Sequence, residues 1–293
     1  MELKMDYLSF YNESYKYLVE KAKEHNINEA KLQKHFTPQT GNAKFFDCYG
    51  GKTLENLLFR FAFHAQNGGP ISKMIKFPHN HVDLRRKQFE LIFCNFDSER
   101  LISTYNTVDA LFESFVNTLG IPRISSVSKT KDYRKSMPYK YCKSILSSAK
   151  LISKFANYDD FAEKLISLGE MAPVYISLEV FGFSIPLACD IIKELGLGVD
   201  LPKPDTHILK IFYGIGLLER DSGTESQYNC IKIMNEFVKA IKPSNSNITS
   251  YKIDKVLWLI STETFYDDDD IRNYGSRKRE EYLKHIKSLL KLN

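Results

Sequence analysis

The chain has 293 residues, 43% apolar and 26% charged, with a formal net charge of +5. That is enough for one large domain or two modest ones around a sizeable core, and it excludes a largely disordered protein. The mild basic excess suits a polyanionic partner without identifying one. Five cysteines, Cys48, Cys94, Cys142, Cys189 and Cys230, lie far apart with no C-x2-C pair, so neither a disulfide framework nor a thiolate metal site is expected. A reducing, intracellular setting is the simplest expectation. The N-terminal MELKMDYLSFYNESYKY has no apolar signal core and the apolar runs are short, so neither a signal peptide nor a membrane span is expected.

Leu8, Tyr11, Tyr15, Leu18 and Ala22 recur at helical spacing, with Asn26 as the stop, and a short helix follows at 28–35. Residues 36–52 hold Pro38, Gly41, Gly50 and Gly51 and form the first boundary. From the N-cap Thr53, Leu54, Leu57, Leu58, Phe61 and Ala65 share one face of a buried helix that ends at Gln66-Asn67-Gly68-Gly69. Further helices are predicted at 83–94, at 107–119 with Gly120 as stop, at 139–155, and at 159–168 with Gly169 as stop. No run alternates with period two. The loop 121–138 carries Arg123, Lys129, Lys131, Arg134 and Lys135 among serines, a basic patch as suited to solvent as to phosphate. After residue 213, helices are predicted at 226–241, 251–263 and 276–290, which makes the chain all-α. Two clusters invite a metal reading and fail it. The acids Asp267 to Asp270 are adjacent and repel, and His79 and His81 lack third and fourth ligands.

The informative stretch is 170–213, EMAPVYISLEVFGFSIPLACDIIKELGLGVDLPKPDTHILKIFY. Two helical patterns flank a Gly-Phe-Ser turn, and a Gly/Pro-rich loop then delivers Asp205 to the start of another helix. A turn entering a helix presents unpaired N–H groups to an anion, so an acid beyond it points to chemistry beside a phosphate. This stretch resembles the helix-hairpin-helix DNA glycosylase superfamily, in particular its endonuclease III-like and 8-oxoguanine glycosylase-like members. Gly182-Phe183-Ser184 stands where the family has Gly-hydrophobic-Gly, Ala188 matches its small packing residue, and Asp205-Thr206-His207 matches its Asp-Thr-His. The resemblance extends back to RFAFHAQN, placing Gln66 where such members probe the duplex beside an extruded base. It implies Asp205 as the catalytic residue, and DNA contacts from Gly182, Phe183, Ser184, Gln66 and Asn67. His207 is expected to be structural.

Two departures sharpen the expectation. Ser184 replaces the second glycine, giving up some conformational freedom and gaining a hydroxyl donor. Pro186, nineteen residues before Asp205, stands where bifunctional members place the lysine that attacks the sugar. Proline has no amine, and early in a helix its missing N–H costs nothing. A monofunctional enzyme follows, leaving an intact abasic site. Only Cys230 follows Asp205, so the iron-sulfur motif of many endonuclease III-like chains is absent.

Such a glycosylase needs a carboxylate near C1′ to stabilise an oxocarbenium-like state and to orient or deprotonate water. It also needs a phosphate grip, a wedge and a stacking pocket. Gln66 with Asn67 is the candidate wedge; Phe181, Phe183, Pro186, Tyr213 and Trp258 are candidate pocket residues, with core packing the simpler explanation for any one aromatic. The resemblance implies two helical lobes with a cleft. Residues 52–196 would form a central barrel ending in the hairpin, and 1–51 with 197–293 the lobe carrying Asp205. It also allows a K⁺ or Na⁺ ion on hairpin carbonyls, with no cofactor required and no metal held by side chains. The expected partner is double-stranded DNA with a lesion or mismatch, the expected state a monomer. Two other readings stay open: a glycosylase/lyase using another lysine, Lys203 being nearest in sequence, and a non-catalytic DNA-binding protein. Which base is excised is not readable from the sequence.

Overall fold

The computed structural model describes residues 6–36, 51–66, 71–75, 77, 84–124, 131–197, 200–262 and 277–291. Every regular element among them is helical. The chain divides into two compact units, one built from Met1–Gln39 with Asp200–Asn293 and the other from Thr40–Val199. The divisions that the family resemblance implies fall at 51/52 and 196/197. Asn67, His79 to His81, Lys129 and Asp267 to Asp270 lie outside the described residues.

Helix α1 (Tyr7–Glu24) begins where the Asp6 carboxylate accepts the N–H groups of Leu8 and Ser9. It stops before Asn26, whose φ of 59° is a left-handed conformation that asparagine tolerates. Helix α2 (Glu29–Lys34) follows, capped by Asn28.

The second unit starts with α3 (Leu54–Ala65), capped by the Thr53 hydroxyl as the sequence suggests. Next come the single turn α4 (Ser72–Ile75), then α5 (Leu84–Ile92), α6 (Ser98–Thr104) and α7 (Val108–Leu119). Helices α4 and α6 have no counterpart in the sequence reading, because one or two turns leave too few positions for a period to register. Gly120 ends α7 at φ 62°. Helix α8 (Met137–Ile152) starts two residues before the expected Tyr139. The Ser136 hydroxyl caps it and Pro138 sits in its first turn, where no hydrogen bond is lost. It stops at Ile152 rather than 155. Helix α9 (Tyr158–Leu168) is capped by Asn157 and ends at Gly169, and α10 (Ala172–Glu179) and α11 (Ile185–Glu194) form the hairpin.

Helix α8 is the centre of this unit, packing on α3, α6 and α7. The Tyr141 hydroxyl at its core donates to the Ala62 carbonyl at 3.0 Å, so a buried polar atom is satisfied. Rings of Phe89, Phe93 and Phe115 lie within 6.2 Å of one another, all fully buried.

The chain then returns to the first unit with α12 (Thr206–Gly214), α13 (Thr224–Ile241), α14 (Ser250–Thr262) and α15 (Arg277–Leu290). Helix α1 packs against α13, α14 and α15. Phe237 gathers the rings of Tyr7, Phe10 and Phe212 at 4.2, 5.3 and 5.8 Å. Burying one such side chain contributes about 1.5–3 kcal/mol. The buried Tyr282 hydroxyl pairs with Ser14 Oγ at 2.7 Å, joining the first helix to the last. No helix among the described residues is long and apolar enough to cross a membrane.

Candidate functional site

Asp205 is the N-cap of α12. Its Oδ1 accepts the N–H of His207 at 2.8 Å and that of Ile208 at 3.2 Å. One oxygen thus meets two of the helix's unpaired donors, and Oδ2 has no hydrogen-bond partner among the described residues. The carboxylate is partly exposed. Such an acid has one oxygen fixed by the backbone and another available to a reacting group.

The loop before it is held at two further points by carboxylates. Asp200 accepts from Ser250 N at 2.6 Å and Tyr251 N at 3.2 Å, capping α14 from a distant part of the chain. The buried Asp254 of that helix accepts from Lys203 N at 3.0 Å. Asp205 N donates to the Lys203 carbonyl at 2.7 Å, closing the last turn. With φ fixed at Pro202 and Pro204, little freedom remains in the run that presents Asp205.

His207 lies beside this acid. Its Nδ1 meets Ser261 Oγ at 3.0 Å and its ring stands edge-on to Trp258 at 6.2 Å. Burial pushes its pKa below the ordinary histidine value; the Asp205 carboxylate opposes that, while Arg279, Lys210 and Lys203 reinforce it. A histidine that titrates lower in the folded than in the unfolded chain gives stability that is present above the unfolded value of about 6.5. That stability is lost as pH falls through the folded value. Urea unfolding at pH 7.5 and pH 5.5 should therefore show a smaller loss on acidification for His207→Gln than for wild type.

In the other unit, the turn between α10 and α11 carries the residues of the hairpin motif. Gly182 has φ 79° with no atom within 4 Å of where a Cβ would stand, so the turn needs glycine for its backbone, not for space. Among the described residues, the N–H groups of Gly182, Ser184, Ile185 and Leu187 have no backbone acceptor, the pattern of an open helix N-terminus. Ser184 is exposed at the N-cap position and its side chain makes no cap bond.

Phe183 turns the other way. Phe183 is 4% exposed and its ring lies 5.3 Å from that of Phe61, so the side chain anchors the turn. The Phe181 N–H donates to Ser147 Oγ of α8 at 2.9 Å, and Lys143 Nζ stands 3.9 Å from the centre of the Phe181 ring.

The remaining candidates separate. Phe181 is 38% exposed at the turn and Pro186 is buried in the first turn of α11. Tyr213 is 52% exposed, but eight residues along from Asp205, about 12 Å at the helical rise. Trp258 is partly buried against His207 and under Lys255 Nζ, 5.2 Å from its ring. Gln66, at the end of α3, is 5% exposed, so to act as a wedge its side chain would have to leave that position. Within the first unit the structure thus gathers Asp205, His207 and Trp258. Within the second it gathers Phe181, Gly182, Phe183 and Ser184.

Comparison with protein-family models, curated proteins and solved structures returns no match. The functional reading rests on the residues themselves. Asp200, Asp254, Ser261, Lys143 and Ser147 are absent from the sequence reading, because each acts on a residue distant in the chain. Among the described residues no group of three or more His, Cys, Asp or Glu side chains is placed to hold a metal ion.

Proposed function

We propose that this chain is a monofunctional DNA N-glycosylase. The observation that carries the reading is Asp205 itself: a carboxylate whose Oδ1 is tied to two helix N–H groups while Oδ2 stays available, at the end of a loop pinned by Asp200 and Asp254. A fixed anion of this kind suits a sugar that develops positive charge as its bond to the base breaks. It can also accept a proton from, or orient, the water that completes hydrolysis. The hairpin turn supplies what a phosphate grip requires, N–H groups without a backbone acceptor at the mouth of a ten-residue helix, two of them on the exposed residues Gly182 and Ser184. The partner is double-stranded DNA carrying a damaged or mismatched base, which must leave the stack to be cut.

The family resemblance also implies a monovalent cation at the turn. The carbonyls of Phe181, Gly182 and Phe183 accept no backbone hydrogen bond among the described residues, so oxygen ligands suited to K⁺ or Na⁺ are present there. Bound, such an ion would add positive charge beside a phosphate.

Pro186 supports the monofunctional form, since the residue at that position has no amine and is buried. Incubating the chain with a panel of alkylated, oxidised, deaminated and mismatched duplexes, with and without borohydride, tests both halves. The expected result is base release that leaves an intact abasic strand and no protein–DNA adduct. A trapped adduct would overturn the monofunctional form and direct attention to Lys203. Binding without any release would favour a DNA-binding protein in which Asp205 serves as an N-cap alone, a role its two hydrogen bonds already fill.

A further inference from the structure

Two arginines of the basic loop that stands out in the sequence are paired with acids of α7. Arg123 pairs with Glu113, and Arg134 with Asp109, which also accepts the hydroxyls of Tyr133 and Tyr139. Helix α8, which no charge run marks out, differs. Its sixteen residues, MPYKYCKSILSSAKLI, contain three lysines and no acid. Lys140, Lys143 and Lys150 are all exposed, and no carboxylate pairs with them among the described residues. At 100° per residue the three fall within an arc of about 80°, so they form one row on the solvent face. The row spans ten residues, about 15 Å of helix axis. The nearest lysine beyond it, Lys154, pairs with Glu179 at 2.6 Å and closes the row at that end.

The hairpin turn sits on the middle of this row. Ser147, on the same face, accepts the Phe181 N–H at 2.9 Å, and Lys143 lies over the Phe181 ring. Lys140 is one turn before that contact and Lys150 about one turn after it. Three cations without acids therefore continue outward from a turn whose own N–H groups suit an anion.

We infer that the exposed face of α8 is a phosphodiester track, on which Lys140, Lys143 and Lys150 carry one DNA strand past the hairpin turn. The inference rests on the DNA reading of the chain but not on its catalytic part. Each strand of duplex DNA presents a regular series of phosphates, which a row of three lysines can follow. An acidic polypeptide would satisfy the lysines, but it offers no comparable regular series of oxygens to the adjoining backbone donors.

The test is the salt dependence of binding of a fluorescent 20-base-pair duplex to the full-length chain, between about 50 and 200 mM monovalent salt. Each phosphate contact contributes about 0.9 to the slope of log K against log salt. K140Q/K143Q/K150Q should lower the magnitude of that slope by two to three, and K143Q alone by about one. A second triple variant, K16Q/K23Q/K232Q, removes the same charge from exposed positions of the other unit and should change the slope by less than one. Glutamine is a good helix former, so the fold should persist, and K143Q serves if the triple variant does not fold.

A wild-type slope in the α8 variants overturns the track, as does an equal loss in the control. Poly-glutamate displacing the duplex equally at matched charge would also overturn it, in favour of an acidic protein partner. Release of no base from any lesion duplex, together with a slope that depends on the row, would remove the glycosylase reading and leave the track standing. No binding to duplex DNA even at 50 mM salt would remove both.

Discussion

Asp205→Asn should slow base release by about 100-fold or more while leaving fold and DNA affinity close to wild type. Asparagine caps helices about as well as aspartate, so its side-chain oxygen can go on accepting from His207 N and Ile208 N. What disappears is the negative charge and the basic Oδ2. Part of the attraction of the α12 dipole goes with the charge, about 0.3–1 kcal/mol. Asp205→Ala removes cap and charge together and should add about 1 kcal/mol of destabilisation to the same loss of rate. Single-turnover base release, thermal unfolding and duplex binding measured on both variants separate the two roles. Wild-type rates from Asp205→Asn would mean that the carboxylate is a cap and nothing more.

The second large effect concerns Phe183. Truncation to alanine should cost about 3–5 kcal/mol, because the ring is buried against Phe61 and the space it leaves sits between the hairpin and α3. Phe183→Leu keeps most of the volume and should cost less than about 1.5 kcal/mol with DNA binding retained. Denaturant unfolding and duplex binding on the two variants check this. A Phe183→Ala chain that is stable but blind to DNA would make the ring a contact rather than an anchor. Motif residues written side by side, such as Gly182-Phe183-Ser184, thus divide their labour. The outer two shape and open the turn, and the middle one holds it down.

Much of the fold is legible in the sequence because its signals are local. Thr53 stands where a cap forms, Gly120 and Gly169 where helices stop, and the 3.6-residue period marks the long helices between. Helix α6 escapes because its seven residues bury only Ser98 and Leu101, too few for a period. The start of α8 escapes because proline reads as a breaker unless it is recognised in a first turn. At the site, Asp205 and the hairpin are legible as short contiguous motifs. Their supports are not: Asp200 reaches Ser250 across fifty residues and Ser147 reaches Phe181 across thirty-four. Gln66 marks the limit of motif reasoning, since its place at a helix end is readable and its burial is not. The lysines of α8 are visible as letters, but only the folded helix sets them in one row without acids.

The route of the chain bears on how it is made. Residues of the second unit follow one another without interruption, whereas α1 completes its core only with α13, α14 and α15. Phe10 waits for Phe237, and Ser14 waits for Tyr282, which is 268 positions later. During synthesis the hairpin unit can close as soon as its own residues have emerged, while the apolar stripe of the first helix stays uncovered until almost the last. The unit that presents Asp205 is therefore completed last, so a chain cut short before α15 would carry every residue of the hairpin unit while the core behind Asp205 still lacks a helix.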